Sequence, residues 1–274
     1  MKIIVPMAGL GTRFAKVADQ NPEYKKPKPF IQVRNKPMVR WATGSLPFLR
    51  HPEERKNENH RVEPDDLIFI ILKSQNDEHG IEDELRKIYS NYINVIILPE
   101  VTRGAAETAF NAIKFVDTDE EIIITDSDHH FSGYNLMKVI DNRHKDTAGI
   151  IPVFRARNEG IPKWSYTLIR EDGSTLAERV AEKDRELMEK GAFANIGAYY
   201  FSKAKHFFTE AEDTIKKNLT TGEKGKGEFY VAPLYQKLIE KNYLVEVAIT
   251  PEVWGLGTPD DLEYFLINYN HEKN

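Results

Sequence analysis

Three observations predict an α/β fold built on a mixed, mainly parallel sheet flanked by helices. Short apolar runs alternate with segments of helical period, the pattern of strand–helix–strand units. The first run, Ile3-Ile4-Val5, passes directly into a loop that holds Gly9 and Gly11. A later run, Ile122-Ile123-Ile124-Thr125, ends in Asp126 and Asp128, and open α/β sheets bind ligands at such carboxyl edges.

In chain order, strands are expected at 2–7, 67–72, 94–98, 121–125 and 148–154. A helix is expected at 37–46. The charged stretch 51–66 has little to bury and reads as an exposed loop. Ile81, Leu85, Ile88 and Tyr92 share one helical face, and Ala105, Ala106, Ala109 and Ile113 share another. After Phe154 the pattern changes. Residues 164–169 alternate and lead into Glu171-Asp172-Gly173-Ser174, a hairpin-turn signal. A strand at 195–201 precedes a helix whose face carries Phe207, Phe208, Ala211, Ile215 and Leu219. The glycine- and lysine-rich 221–227 reads as a mobile loop, 229–239 as a helix and 244–249 as a strand. Thr258-Pro259-Asp260-Asp261 starts a last helix with a cap, a proline at its first position and acids in its first turn.

Composition narrows the function. The chain has 274 residues, 41% hydrophobic and 30% charged, enough for a core and a well-solvated surface. A net charge of −5 argues against nucleic-acid and anionic-membrane partners. It leaves anionic small molecules open, since local Arg and Lys decide those. The absence of cysteine excludes disulfides, thiolate nucleophiles and cysteine-ligated zinc. No apolar run approaches the roughly 18 residues of a membrane helix. The N-terminal run is too short for a signal peptide, so a cytoplasmic protein is expected.

The stretch from Gly9 to Phe30 carries the strongest chemical signal. Glycines admit a ligand close to the backbone, and successive N–H groups can cradle phosphate oxygens. Arg13 offers a planar fork of donors. Lys28 offers a point charge on a backbone stiffened by Pro27 and Pro29. Asp126-Ser127-Asp128 offers hard oxygen ligands suited to Mg²⁺. The adjacent His129 and His130 read as surface or supporting side chains rather than ligands. Taken singly, the loop also fits a plain strand-to-helix turn, and the acids fit a solvated strand end.

Taken together, Pro6-Met7-Ala8-Gly9-Leu10-Gly11-Thr12-Arg13-Phe14 and Pro27-Lys28-Pro29 resemble the signature of the sugar-phosphate nucleotidyltransferases, or nucleoside-diphosphate-sugar pyrophosphorylases. Leu10 stands where many members have a second glycine. The resemblance implies a Rossmann-like nucleotide-diphospho-sugar transferase fold over 1–274. A nucleotide-binding half would span about 1–147 and an acceptor-binding half about 148–274. It implies transfer of a nucleotidyl group from a nucleoside triphosphate to a sugar 1-phosphate with release of pyrophosphate. Met7, Ala8, Gly9, Leu10, Gly11, Thr12 and Arg13 would then bind nucleotide. Arg13 would hold the β- and γ-phosphates, and Lys28 the α-phosphate and the transition state. Asp128 aligns with the family's metal-binding aspartate.

Further motifs follow the same order. Thr102-Arg103-Gly104-Ala105-Ala106-Glu107-Thr108 resembles the base-binding segment, implying nucleotide contacts from Gly104, Ala105 and Thr108. Glu107 reads either as a base acceptor or as an exposed helical acid, and Arg103 as a phosphate ligand or a solvent-facing cap. Val180-Ala181-Glu182-Lys183 resembles the family's Glu-Lys motif. It implies that Glu182 binds acceptor hydroxyls and Lys183 the acceptor phosphate, with Asn195 as a further contact. Gly225-Lys226-Gly227-Glu228-Phe229-Tyr230 resembles the loop before the family's last strand and takes no catalytic role. One departure stands out: Trp254-Gly255-Leu256-Gly257-Thr258 lacks the second metal aspartate that many members carry just after the tryptophan. This form resembles a subgroup associated with surface-polysaccharide precursors.

The implied reaction needs no strong general base, because a sugar-1-phosphate oxygen is ionised near neutral pH. Its demand is to bring two polyanions together and stabilise the charge that develops. Arg, Lys and a divalent metal answer that demand. Self-association stays open. So do three other readings: a cytidylyltransferase for a non-sugar phosphate or phosphonate, a glycosyltransferase using Asp126-Ser127-Asp128, and a non-catalytic nucleotide-sugar-binding paralogue.

Overall fold

The computed structural model describes residues 1–157, 160–222 and 227–270. Its strands are β1 (Lys2–Pro6), β2 (Gln32–Val33), β3 (Lys36–Pro37), β4 (Leu67–Leu72), β5 (Asn94–Leu98), β6 (Ile122–Thr125), β7 (His129–Phe131), β8 (Thr147–Phe154), β9 (Ser165–Ile169), β10 (Ala177–Glu182), β11 (Phe193–Asn195), β12 (Ala198–Phe201), β13 (Leu244–Ile249) and β14 (Val253–Gly255). Its α-helices are α1 (Thr12–Ala15), α2 (Met38–Thr43), α3 (Lys73–His79), α4 (Ile81–Ile88), α5 (Ala105–Phe110), α6 (Tyr134–Asn142), α7 (Arg185–Glu189), α8 (Ala204–Lys216), α9 (Ala232–Glu240) and α10 (Pro259–Asn268).

Ten strands form the central sheet, in the order β10-β9-β11-β8-β12-β6-β1-β4-β5 with β13 beside β8. Seven of them run the same way (β1, β4, β5, β6, β8, β9 and β13), and β10, β11 and β12 oppose them. The sheet is therefore mixed and mainly parallel. Its centre is apolar on both faces, which explains the continuous Ile and Val runs. Ile4, Ile68, Ile70, Ile122 and Ile124 pack on one face, among Ala106, Ala109, Phe207, Tyr235 and Leu238 from α5, α8 and α9. Ile3, Val5, Leu67, Phe69 and Ile123 pack on the other, among Val39, Ile81, Leu85, Leu136 and Ile140 from α2, α4 and α6. The two-residue alternation of a strand sends successive side chains to opposite layers.

A third cluster closes the molecule near the glycine loop. Phe14, Ile31, Val33, Met38 and Trp41 pack there against Leu256, Leu262, Phe265 and Tyr269. Thr258 caps α10 as expected, its hydroxyl accepting the Asp261 N–H at 3.1 Å. No helix among the described residues is long and apolar enough to cross a membrane.

Several elements differ from expectation. The stretch 195–201 is two strands, β11 and β12, broken at Ile196-Gly197. Asp126 packs against the break: its N–H donates to the Gly197 carbonyl at 2.6 Å, and a Cβ on Gly197 would lie 2.0 Å from its Oδ2. Helix α4 ends at Ile88, leaving Tyr92 outside it and 79% exposed. Ile113 falls in a 3-10 turn (Asn111–Phe115) and is exposed. Leu219 lies beyond the end of α8 and is exposed. Helix α9 begins only at Ala232, because Pro233 fits a helix in its first turn. The stretch 51–66 is not a free loop. His51, Val62 and Pro64 are buried, Val62 bridges Leu49, and Arg50 pairs with Glu63 at 2.6 Å. The expected mobile loop lies largely outside the described residues.

Candidate active site

Strands β1 and β6 lie side by side in parallel, so the loops after both emerge at one edge of the sheet. Lys28 sits in a 3-10 turn (Lys28–Phe30) entered through Pro27. Gly11 adopts φ +62°, and a Cβ there would meet the Lys28 Cβ at 3.3 Å. The glycine loop thus backs directly onto the lysine. The Lys28 ammonium reaches across to Asp128, Nζ to Oδ2, at 2.7 Å. The pair is half-buried, so losing either partner would leave a poorly solvated charge.

Asp128, Asp126 and His129 form a compact group whose ligand atoms all lie within 4.8 Å of one another. His129 Nδ1 lies 3.1 Å from Asp128 Oδ1 and 4.0 Å from Asp126 Oδ2. Burial opposes ionisation of Asp128, but the charges of Lys28 and His129 outweigh it and hold the carboxyl well below its usual range. Desolvation and the neighbouring Asp128 carboxylate push Asp126 up to about 6. Burial likewise opposes a charge on His129, while Asp128 draws its pKa upward. Two carboxylates and an imidazole this close suit a divalent cation, which would relieve the crowding of negative charge. The backbone is cut to fit them. A Cβ on Gly257 would fall 2.4 Å from Asp128 Oδ2, as one on Gly197 would collide with Asp126.

The two histidines, read from the sequence as surface or supporting groups, part company. They are successive residues of β7, so their side chains leave on opposite faces. His129 joins the carboxylates. His130 enters the third cluster, its ring 5.1 Å from Trp41 and 5.4 Å from Tyr269, with Nδ1 3.2 Å from Ser45 Oγ and Nε2 3.2 Å from the Tyr269 hydroxyl. A broad concavity lined by His130, Ser45, His60 and Tyr269 therefore opens away from the carboxylates.

In the glycine loop, Met7 and Ala8 are buried, and the Met7 N–H donates to the Ile70 carbonyl at 2.7 Å. The Gly9 carbonyl accepts from Gln75 Nε2 at 3.2 Å, while Leu10 is 57% exposed. Thr12 and Arg13 are exposed in α1. The Arg13 guanidinium has no hydrogen-bond or ion-pair partner among the described residues. It lines a cleft with Lys16, Asn21, Tyr24 and Thr258.

Residues 102–108 are tied to the backbone at Phe229. Gly104 has φ +141°, and a Cβ would stand 2.5 Å from the Phe229 carbonyl oxygen. The Phe229 N–H donates to the Arg103 carbonyl at 2.8 Å, and the Ala106 N–H donates to the Phe229 carbonyl at 2.9 Å. Ala106 is buried and Ala105 half-buried. Thr108 Oγ1 donates to the Gly104 carbonyl at 3.1 Å. Glu107 pairs with Arg103 at 2.6 Å, and Arg103 lies over the Phe229 ring at 4.7 Å. These two side chains hold each other.

Next to Phe229, the Tyr230 hydroxyl accepts from Lys183 Nζ at 2.9 Å. Lys183 adopts φ +50° at the end of β10, and its N–H donates to the Trp164 carbonyl at 2.9 Å. Burial opposes its charge, yet the Tyr230 hydrogen bond and the Glu182 carboxylate keep its pKa above the ordinary value. Glu182 is buried, which raises its pKa, and the Ser165 hydroxyl donates to it. Asn195 is buried beneath the same edge. Its Oδ1 accepts from Thr167 Oγ1 at 2.6 Å, while Nδ2 has no hydrogen-bond partner among the described residues.

Sequence reasoning gave no role to Ser165, Thr167 or Tyr230 and read His129 as a surface or supporting side chain. The alternation of β9 carried a signal for two of them. Ser165 and Thr167 share a strand face, and β9 pairs directly with Glu182 of β10.

A family model described as nucleotidyl transferase matches residues 26–262. The glycine loop precedes that span. No curated protein matches the chain. Among solved structures, a nucleoside-diphosphate-sugar pyrophosphorylase from Vibrio cholerae is 21% identical, covers 96% of this chain and 99% of its own, and superposes with a TM-score of 0.71. A putative glucose-1-phosphate thymidylyltransferase from Bacillus anthracis is 15% identical, with coverage of 96% and 93% and a TM-score of 0.66. An inositol-1-phosphate CTP transferase from T. maritima is 16% identical, with coverage of 97% and 94% and a TM-score of 0.64. At these identities the three share the fold. The family match spans well over half of the sequence, so the chain belongs to the nucleotidyl transferase family and is a nucleotidyltransferase.

Proposed function

We propose that the protein joins a nucleoside triphosphate to a sugar 1-phosphate, releasing pyrophosphate, in the synthesis of a surface-polysaccharide precursor. The observation that carries this reading is the Lys28–Asp128 contact of 2.7 Å. It joins the Pro-Lys-Pro turn to the carboxylates that follow β6. An acceptor phosphate oxygen attacks the α-phosphorus, the bond from that phosphorus to the bridging oxygen breaks, and pyrophosphate leaves. Lys28 stands where it can bind the α-phosphate and the charge that grows there. Arg13, exposed and unpaired among the described residues, is available to the β- and γ-phosphates. Asp128 and Asp126 would hold a divalent ion, Mg²⁺ in the simplest case, which when bound neutralises phosphate charge. No nucleophilic side chain is required.

Residues 1–147 supply the nucleotide side in this reading and 148–274 the acceptor side. The Gly9 and Gly11 backbone approaches the phosphates, and Gly104, Ala105 and Thr108 border the base. Lys183 pairs with the acceptor phosphate. Glu182 and the unpartnered Asn195 Nδ2 take acceptor hydroxyls. A second reading keeps the chemistry and replaces the sugar with a non-sugar phosphate or phosphonate, using CTP. The missing aspartate favours it, as does the structural neighbour named for inositol 1-phosphate and CTP.

The test is pyrophosphate release with Mg²⁺, each nucleoside triphosphate being offered with a panel of sugar 1-phosphates, phosphocholine and simple phosphonates. Release with one sugar 1-phosphate supports the first reading, and release only with a non-sugar acceptor supports the second. Silence across the panel, with nucleotide binding confirmed separately, counts against both.

A further inference from the structure

We propose that His129 Nδ1 is the third protein ligand of the divalent ion at Asp126 and Asp128, replacing the carboxylate missing from 254–258, and that it tilts the site toward Mn²⁺ or Co²⁺ over Mg²⁺. The inference rests on the metal site of the preceding reading and adds a ligand and a metal preference to it.

Three observations carry it. The first is donor spacing. Two ligands each about 2.1 Å from a six-coordinate ion are about 3.0 Å apart when adjacent and about 4.2 Å when opposite. His129 Nδ1 is 3.1 Å from Asp128 Oδ1 and 4.0 Å from Asp126 Oδ2. Asp128 Oδ2 is held by Lys28, which leaves Oδ1 free to face an ion while the lysine stays in place. The second is the state of the imidazole. Nδ1 is buried and, among the described residues, has no well-directed hydrogen bond, its nearest polar atom being Asp128 Oδ1 at 3.1 Å. The close polar contacts of Nδ1 are the Asp128 and Asp126 carboxylates, the groups with which an ion bound between them would share it.

The third is register. Strands β7 and β14 pair antiparallel with Gly255 opposite His129 and Trp254 opposite His130. The segment that lacks the aspartate thus lies directly across from the extra imidazole. That segment has no room to supply a carboxylate of its own. Gly257 is pressed against Asp128, and Leu256 is fully buried among Phe14, Trp41 and Phe265. The Leu256 N–H donates to the Asp128 carbonyl at 2.8 Å, fixing the register. Replacing an oxygen ligand with an imidazole nitrogen favours the later first-row ions, whereas Mg²⁺ prefers an all-oxygen set.

The experiment adds Mn²⁺ alone to the metal-free full-length protein and follows it by electron paramagnetic resonance. Wild type is expected to bind one Mn²⁺ whose spin echo is modulated by a ¹⁴N nucleus. In His129→Gln the modulation disappears. The Mn²⁺ affinity of that variant falls at least about tenfold, the scale seen when even a supporting residue of a metal site is lost. Mg²⁺ affinity, read by competition, changes less. Circular dichroism checks that the variant is folded, and the wild-type signal stands independently of it. Bound Mn²⁺ without ¹⁴N modulation in wild type overturns the inference, as does an unchanged Mn²⁺-to-Mg²⁺ affinity ratio in His129→Gln. Asp128→Asn separates the two levels. If it abolishes Mn²⁺ binding while wild type shows no ¹⁴N modulation, the imidazole alone is excluded and the carboxylate site stands. If Asp128→Asn binds Mn²⁺ as wild type does, the metal site of the preceding reading falls with it.

Discussion

Lys28 and Asp128 are each other's partner in this structure, and the proposed reaction gives each a second task. If Lys28 acts on the transition state as proposed, Lys28→Ala should lower turnover by orders of magnitude, and because the side chain is partly exposed the fold should stay intact. Steady-state kinetics with a circular-dichroism control checks this, and unchanged turnover would remove Lys28 from the mechanism. Asp126 gives the site a pH dependence. With its pKa pushed up to about 6, protons compete with the cation below that value. Metal affinity should therefore fall as pH drops from 7 to 5, and calorimetry at several pH values should show it. In Asp126→Asn that dependence should flatten. Much at this scale was legible, since residue type and spacing marked Lys28, Asp126 and Asp128. His129 was not, because only the strand register reveals which of two neighbouring histidines faces the carboxylates.

At the scale of elements, glycines record where backbones had to meet. Gly104→Ala should destabilise the protein by about 1–3 kcal/mol, since φ +141° is unsuited to a side chain and the new Cβ would strike the Phe229 backbone at 2.5 Å. Thermal unfolding measures it, and a melting temperature equal to wild type would contradict the packing described. Leu256→Asp tests whether an aspartate in the Trp254 segment could be restored. The account predicts several kcal/mol of destabilisation, because the carboxylate would be buried in an apolar cluster. A stable variant with tighter metal binding would show the segment to be more open than described. The long strands could be read from apolar runs. The break at Gly197 could not, since the side chain packed against it lies 71 residues earlier in the chain. The folding of 51–66 onto Leu49 was hidden for a similar reason: few apolar residues anchor a mostly charged segment.

For the whole molecule, the sheet brings two sets of groups to one edge. Lys28 and the acids lie beside β1 and β6, while Glu182, Lys183 and Asn195 close β10 and β11. The arrangement would suit the proposed reaction between two anionic substrates, for which cations rather than a nucleophile are expected there. Fold class was readable from strand–helix alternation, because each strand is continuous in sequence. The link from Arg103 through Phe229 and Tyr230 to Lys183 was not, being assembled from separate elements. The most direct test of nucleotidyl transfer at this site follows an α-³²P-labelled nucleoside triphosphate with a phosphorylated acceptor in wild type and in Asp128→Ala. The account predicts label in a nucleotide–acceptor product with one pyrophosphate released per product, and loss of both in the variant. Label in free nucleoside monophosphate without a coupled product, or equal coupling in the variant, would contradict it.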